Sequence, residues 1–394
     1  MLKSSILLLS LFSLGGCDAG AQVIDWSGAI QKTDAVFSEF NTDHTPGCAI
    51  GVIHNGAYIL EKGYGMSNLE HGIPISRTSV FRTGSLAKQF TDAALGVLVE
   101  RGDIDLDADI HEYLPDLALY EDKVTIRQMI AHLSGIPDYE GGEGVFIKED
   151  GKPFRFGNED YYTIQEFYDH AKHVGLRTPP ETEFHYSNTA YFFLSQVIEK
   201  VSAEPIKEFA EREIFKKIGM DKSFFNTNVN GIIPERADGY QVNEDGVYEI
   251  NMTNLSYVGD GGVYTSLEDF IKWDQNFYDN KIGKGDADFI NMIETPHSFF
   301  DREKSGYAWG MNVTSHRGER LVSHTGSWVG FRAVYSRFSD LKLSFVGMCN
   351  AGNESPLRDF MDVRDAYLDA LGVLPLNKTS IFLPSRNSNL PSFA

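Results

Sequence analysis

The sequence predicts a mixed α/β fold of the α+β class: one antiparallel sheet built from both chain ends, flanked by helices, with a mostly helical region inserted between them. Three observations predict it. Ala49 to His54 and Tyr58 to Lys62 are strand-like runs joined by Asn55-Gly56, and Asn-Gly is the strongest short hairpin signal because both residues tolerate positive φ. Strand patterns return only near the other end, in Trp309 to Val313, Arg320 to Ser323, Phe331 to Phe338 and Leu341 to Cys349. The stretch between is dominated by apolar residues at helical spacing, and strands segregated from helices in this way point to an α+β arrangement.

Taken in order, Met1 to Gly16 has the form of a secretory signal. Lys3 supplies its positive start, and Ile6 to Leu14 an apolar stretch too short to span a bilayer. Residues 17–45 then read as a tether and 46–372 as the folded domain, with the helical region at about 103–300. Ser85 to Arg101 reads as a helix, because Phe90, Ala93, Ala94, Val97 and Leu98 recur on one face and Gly102 follows as a stop. Thr125-Ile126-Arg127-Gln128 is a capping box opening a helix that Gly135 is expected to close. Ala190 to Val201 carries Phe193, Leu194, Val197, Ile198 and Val201 on one face, and Ser266 precedes a segment with Phe270, Trp273 and Phe277. Ser355-Pro356 starts a last helix that Gly372 ends, and 373–394 reads as an irregular tail. Gly141 to Asn158 has little periodicity and is expected to be a mobile loop beside the cleft or plain surface.

Composition narrows the function. With 394 residues, 42% hydrophobic and 23% charged, the chain has an ordinary globular balance and is long enough for a substantial core. A formal charge of -21 argues against nucleic acid as a partner, since that would demand a basic face. There is no His-Glu-x-x-His and no Cys/His spacing of zinc type, so neither a metal nor another cofactor is implied. Cys48 and Cys349 lie in apolar strand-like runs, so buried free thiols are the default reading; a disulfide between them is left open, with no local pattern to support it.

The chemistry is carried by Ser85-Leu86-Ala87-Lys88. A serine hydroxyl needs a neighbouring base or cation before it attacks a carbonyl, and a lysine three positions on lies one helical turn away. Ser85 would also sit at the positive end of its helix. A second Ser-x-x-Lys, Ser339-Asp340-Leu341-Lys342, falls between two strand-like runs and reads as a hairpin turn. Downstream stand Tyr186-Ser187-Asn188, ahead of the Ala190 helix, and His324-Thr325-Gly326, after the Arg320 strand. Tyr278-Asp279-Asn280 fits the same Tyr-x-Asn pattern but ends a helix of core aromatics.

In this order the three motifs resemble the serine penicillin-recognising hydrolases: class C β-lactamases, D-alanyl-D-alanine carboxypeptidases and related esterases and D-aminopeptidases. Tyr-Ser-Asn and His-Thr-Gly stand where other branches have Ser-Asp-Asn and Lys-Thr-Gly. The resemblance runs from Pro46-Gly47 to Gly372 and takes in Glu61-Lys62-Gly63-Tyr64-Gly65, His132-Leu133-Ser134-Gly135, Ile214 to Met220 and Gly261-Gly262-Val263-Tyr264. It implies a β-lactamase/transpeptidase-like fold and a Ser85 acyl-enzyme formed on a D-amino-acid peptide, an ester or a β-lactam-like substrate. Lys88 and Tyr186 would share the base and acid work, the lysine cation lowering the phenol pKa. Asn188 would orient Lys88 and donate to the substrate amide, and the N–H groups of Ser85 and Ser327 would form the oxyanion site. His324, Thr325, Gly326 and Ser327 would line the substrate. A histidine at 324 is mostly neutral at pH 7 and so binds a carboxylate less firmly than lysine. The alternative expectation is a penicillin-recognising sensor that is acylated without turnover. Leu14-Gly15-Gly16-Cys17 resembles a bacterial lipobox, implying a lipid anchor on Cys17 and a lipoprotein of the cell envelope facing the periplasm.

Overall fold

Numbering only the strands of the main sheet, Cys48–His54 (β1) and Ala57–Tyr64 (β2) come from the start of the chain. The remaining six come from its end: Ser298–Phe299 (β3), Gly306–Tyr307 (β4), Asn312–His316 (β5), Glu319–Trp328 (β6), Phe331–Phe338 (β7) and Leu343–Cys349 (β8). They pair antiparallel in the order β3-β4-β5-β6-β7-β8-β1-β2. The hairpin of the chain start thus zips onto the last strand, as expected of a sheet assembled from both ends. This computed structural model describes residues 24–139, 163–256, 258–299, 306–352 and 356–375. The expected loop at Gly141 to Asn158, the leader with Cys17, and the tail from 376 onward lie outside the described residues.

Period-two alternation gives the sheet two buried faces. Ala49, Ala333, Tyr335, Val346 and Met348 face the larger core, which contains the helical region. Ile50, Val52, Val334, Leu343 and Phe345 face the smaller one, with Phe37, Phe360 and Tyr367 from the helices Ser27–Val36, Leu357–Asp362 and Arg364–Ala370. The last helix expected from Pro356 is therefore present, as two consecutive segments.

Cys48 and Cys349 form a disulfide with their Cα atoms 4.0 Å apart, which decides the pairing left open by the sequence against the default of two free thiols. The register of β1 on β8 places these residues directly opposite each other, and across an antiparallel pair opposite side chains lie within reach of one another. The two cysteines are 301 positions apart in sequence, so only sheet pairing reveals the link.

The Thr125 capping box forms as expected, Thr125 Oγ1 accepting from the Gln128 N–H and Gln128 Oε1 accepting from the Thr125 N–H. Its helix stops at Ile130, short of Gly135. His132 takes a φ of 58°, held by the N–H of Ser187 donating to its Nδ1 at 3.0 Å. The second Ser-x-x-Lys lies in the turn between β7 and β8, with Lys342 at a φ of 48°.

Candidate active site

Ser85 lies in a 3-10 turn, Gly84–Ala87, that leads directly into the α-helix Lys88–Arg101. The expected helix is thus present, with Gly102 closing it at a φ of 79°. The turn is pressed against β6 by two glycines. A Cβ at Gly326 would lie 1.9 Å from the Thr83 carbonyl oxygen, and one at Gly84, whose φ is 53°, would lie 2.6 Å from the Ser327 nitrogen. Backbone-to-backbone contact this close leaves no room for any side chain at either position. It sets Ser85 beside Ser327, and both line one open cleft of about 230 Å³ with Arg82, Gly84, Tyr139, Asp260, Gly261 and Trp328. The His-Thr-Gly motif expected after a short strand lies inside β6, which runs on to Trp328.

Lys88 is fully buried and its ammonium donates to three oxygens: Ser85 Oγ at 3.2 Å, Asn188 Oδ1 at 2.6 Å and the Asp260 carbonyl at 2.8 Å. Three acceptors match the three N–H donors of a lysine cation, and the same nitrogen lies 4.7 Å above the Tyr186 ring and 5.3 Å from that of Tyr191. Asn188 opens the helix Asn188–Ser202, capped by Ser187 Oγ accepting from the Ala190 N–H. Asp138 fixes the orientation of the Asn188 amide, its carboxylate accepting from Asn188 Nδ2 at 3.2 Å and from the Asn188 backbone N–H at 3.3 Å. The Asn188 oxygen is thereby turned to Lys88.

Tyr186 departs from expectation. Burial pushes its phenol pKa up, and this outweighs the opposing pull of Lys88 and Ser85. Charged phenolate is disfavoured away from water more than one nearby cation restores it. The expected lowering by Lys88 is real but smaller than the desolvation, so the resting tyrosine is neutral. Its hydroxyl makes no well-formed hydrogen bond among the described residues, and its ring lies 4.3 Å from the ring of His132. His132 is itself buried and held neutral, its pKa well below the usual value through burial and the Lys88 charge. Accepting on Nδ1 from the Ser187 N–H leaves the proton of the neutral ring on Nε2.

His324 is 7% exposed and its pKa falls to about 4, chiefly through burial and then through the Lys88 charge. Its Nδ1 donates to the Thr325 carbonyl at 2.5 Å, and its Nε2 accepts from Tyr307 Oη at 3.1 Å. Both ring nitrogens are therefore engaged by the protein. The structure brings Ser85, Lys88, Tyr186, Asn188 and the β6 motif together, as the sequence motifs imply. It adds Arg82, His132, Asp138, Tyr139, Asp260 and Tyr307, none of which the sequence reading assigned a role. His132 stood in a quoted motif, but the other five sit in no pattern that spacing could flag. The near-match Tyr278 stays apart, stacked by Arg337 and Lys342 at 5.7 and 5.5 Å.

A family model described as Beta-lactamase matches residues 33–369. Among curated relatives, a D-aminopeptidase of Gluconobacter oxydans is 27% identical over 312 residues, covering 77% of this chain and 56% of that protein. Penicillin-binding protein 4* of Bacillus subtilis is 26% identical, covering 80% of this chain and 70% of its own length. The chain thus spans little more than half of the first of these. Among solved structures, an octameric penicillin-binding protein homologue from Pyrococcus abyssi superposes with a TM-score of 0.74 at 24% identity, over 88% of this chain and 78% of that one. A D-amino acid amidase from Ochrobactrum anthropi does so with 0.69 at 20% identity, over 88% and 99%. These superpositions establish the mixed α/β fold, and the match over residues 33–369 establishes the rest: the chain belongs to the beta-lactamase family.

Proposed function

We propose that this protein is a serine hydrolase that cleaves an amide or ester through an acyl group carried on Ser85, with a D-amino-acid peptide as its substrate. The single observation that carries the reading is the Lys88 ammonium on Ser85 Oγ, held at the same time by Asn188 and the Asp260 carbonyl. A serine in this setting is a nucleophile with a cation at its oxygen and a proton-transfer partner alongside. In the first step Ser85 Oγ bonds to the carbonyl carbon while its proton passes to the Lys88/Tyr186 pair. The same pair returns a proton to the leaving nitrogen or oxygen as that bond breaks. The N–H groups of Ser85 and Ser327 take the oxyanion, and water then releases the acyl group. The names D-aminopeptidase and D-amino acid amidase among the relatives favour an amide of a D-amino acid over a β-lactam.

A fluorophosphonate probe followed by mass spectrometry should place an adduct on Ser85. A folded protein left unmodified would count against the covalent mechanism. A panel of p-nitrophenyl esters, nitrocefin and a D-alanyl-D-alanine peptide, with Ser85→Ala as control, then reads the substrate class. The same proposal tethers the domain to the cell envelope through lipid on Cys17, facing the periplasm, and its support is the Leu14-Gly15-Gly16-Cys17 sequence. Cys17→Ser should release the protein from the membrane fraction. Retention there would contradict the anchor.

A further inference from the structure

One cation in the cleft has no part in the acylation chemistry. Arg82 is 3% exposed and sits on the short strand Phe81–Arg82, which pairs with Val263–Thr265. Its Nε and Nη1 are buried with no hydrogen-bond partner, and it makes no ion pair among the described residues. Its guanidinium lies 5.8 Å from the Trp328 ring centroid, and the indole N–H of Trp328 is likewise buried without an acceptor. A buried charge with no counter-ion costs several kcal/mol, and unpaired donors of this kind call for an explanation from outside the chain.

The guanidinium is also close to the nucleophile. Arg82 lines the same cleft as Ser85 and Ser327, and a methyl group built on Gly261 would stand 3.9 Å from Arg82 Nη2 and 3.8 Å from the carbonyl oxygen of Gly84, the residue before Ser85. Asp260 lines this cleft as well. Its Oδ2 accepts from Tyr139 Oη, and no ion pair links it to Arg82 among the described residues. The position that carries a carboxylate-binding lysine in other branches is here His324, whose two ring nitrogens are engaged by Thr325 and Tyr307.

We infer that Arg82 is the residue that recognises a carboxylate of the substrate, in place of the third-motif side chain, so that this cleft selects acyl donors carrying a negative charge beside the scissile bond. The inference rests on the Ser85 reading above. Guanidinium is charged at every working pH and presents a planar fork that fits a carboxylate through two parallel hydrogen bonds.

The test compares N-acetyl-D-alanyl-D-alanine with its C-terminal amide as protectants of Ser85 against a fluorophosphonate. In the native protein the acid should protect at a concentration about tenfold or more below that needed for the amide. Arg82→Gln should bring the two within about twofold, and Arg82→Lys should keep part of the preference, since the charge remains but the fork is lost. Equal protection by acid and amide in the native protein overturns the inference, and so does a preference unchanged in Arg82→Gln. Protection by neither, with Ser85 still labelled, also overturns it and leaves the Ser85 reading standing. Failure of the labelling itself strikes that reading instead. If Arg82→Gln does not fold, Arg82→Lys carries the assignment, and an acid preference left at its native size in Arg82→Lys overturns the inference.

Discussion

Tyr186 holds its proton in the resting state and must lose it before it can act as a base. The phenol is neutral because burial raises its pKa, and the ammonium is engaged by three oxygens. Turnover with Tyr186 as base therefore draws on the fraction of molecules in which the phenol has lost its proton, and that fraction grows as pH rises. The expected result is a kcat/KM that climbs from pH 7 towards the alkaline range, and Tyr186→Phe should lower kcat by about 10²–10⁴-fold. A flat profile over pH 7–9 would show that the Tyr186 phenol does not limit turnover.

His324 supports a second prediction, about stability. Its pKa is near 4 in the fold and near 6.5 in an unfolded chain. The unfolded state thus binds a proton as pH drops below 6.5 while the native state does not, so stability falls between pH 6.5 and 4. For a group this buried the loss approaches about 3 kcal/mol. His132 is depressed in the same direction. Urea melts at pH 7.5 and 4.5 should show the loss, and His324→Gln should shrink the difference. An unchanged difference would mean the ring is hydrated in solution. The residue types and order of the three motifs were legible in the sequence. The sign of the Tyr186 shift was not, since it depends on how completely His132, Tyr307 and Lys88 exclude water from the phenol.

Among the elements, the contact between the nucleophile turn and β6 sets the geometry of attack. Thr83 O lies where a Cβ of residue 326 would fall, 1.9 Å away, so Gly326→Ala must push the turn off the strand. A shift of about 1 Å at reacting groups costs about 10²-fold in rate. Gly326→Ala should therefore lose at least that in kcat while its circular dichroism stays native. Full activity would show that the backbone yields without moving Ser85. The helices at Thr125, Asn188 and Lys88 were legible because caps and apolar spacing are local signals. The early end of the Thr125 helix was not, because the Ser187 N–H that bends His132 comes from a distant segment.

Over the whole molecule, the two chain ends share one sheet and one covalent link. The Cys48–Cys349 disulfide closes a separation of 301 residues, and cross-links over long loops stabilise by restricting the unfolded chain, typically about 2–4 kcal/mol. Cys48→Ser with Cys349→Ser should lower the urea midpoint correspondingly, with activity at low denaturant retained. Equal midpoints for native and double-variant protein would indicate that the thiols are unpaired in solution.

By itself the sequence determined the α+β class, because periodicity and caps are read locally, and the order of its three motifs, whose resemblance to the penicillin-recognising hydrolases singles out Ser85 as the candidate nucleophile with Lys88 beside it. Only the tertiary structure decided that the cysteines pair, that Tyr186 is neutral, that His324 is occupied by the protein and that Arg82 lies beside Ser85 with no ion-pair partner among the described residues. Each of these depends on strand register or on exclusion of water by residues far away in the chain, and neither is written in any one segment.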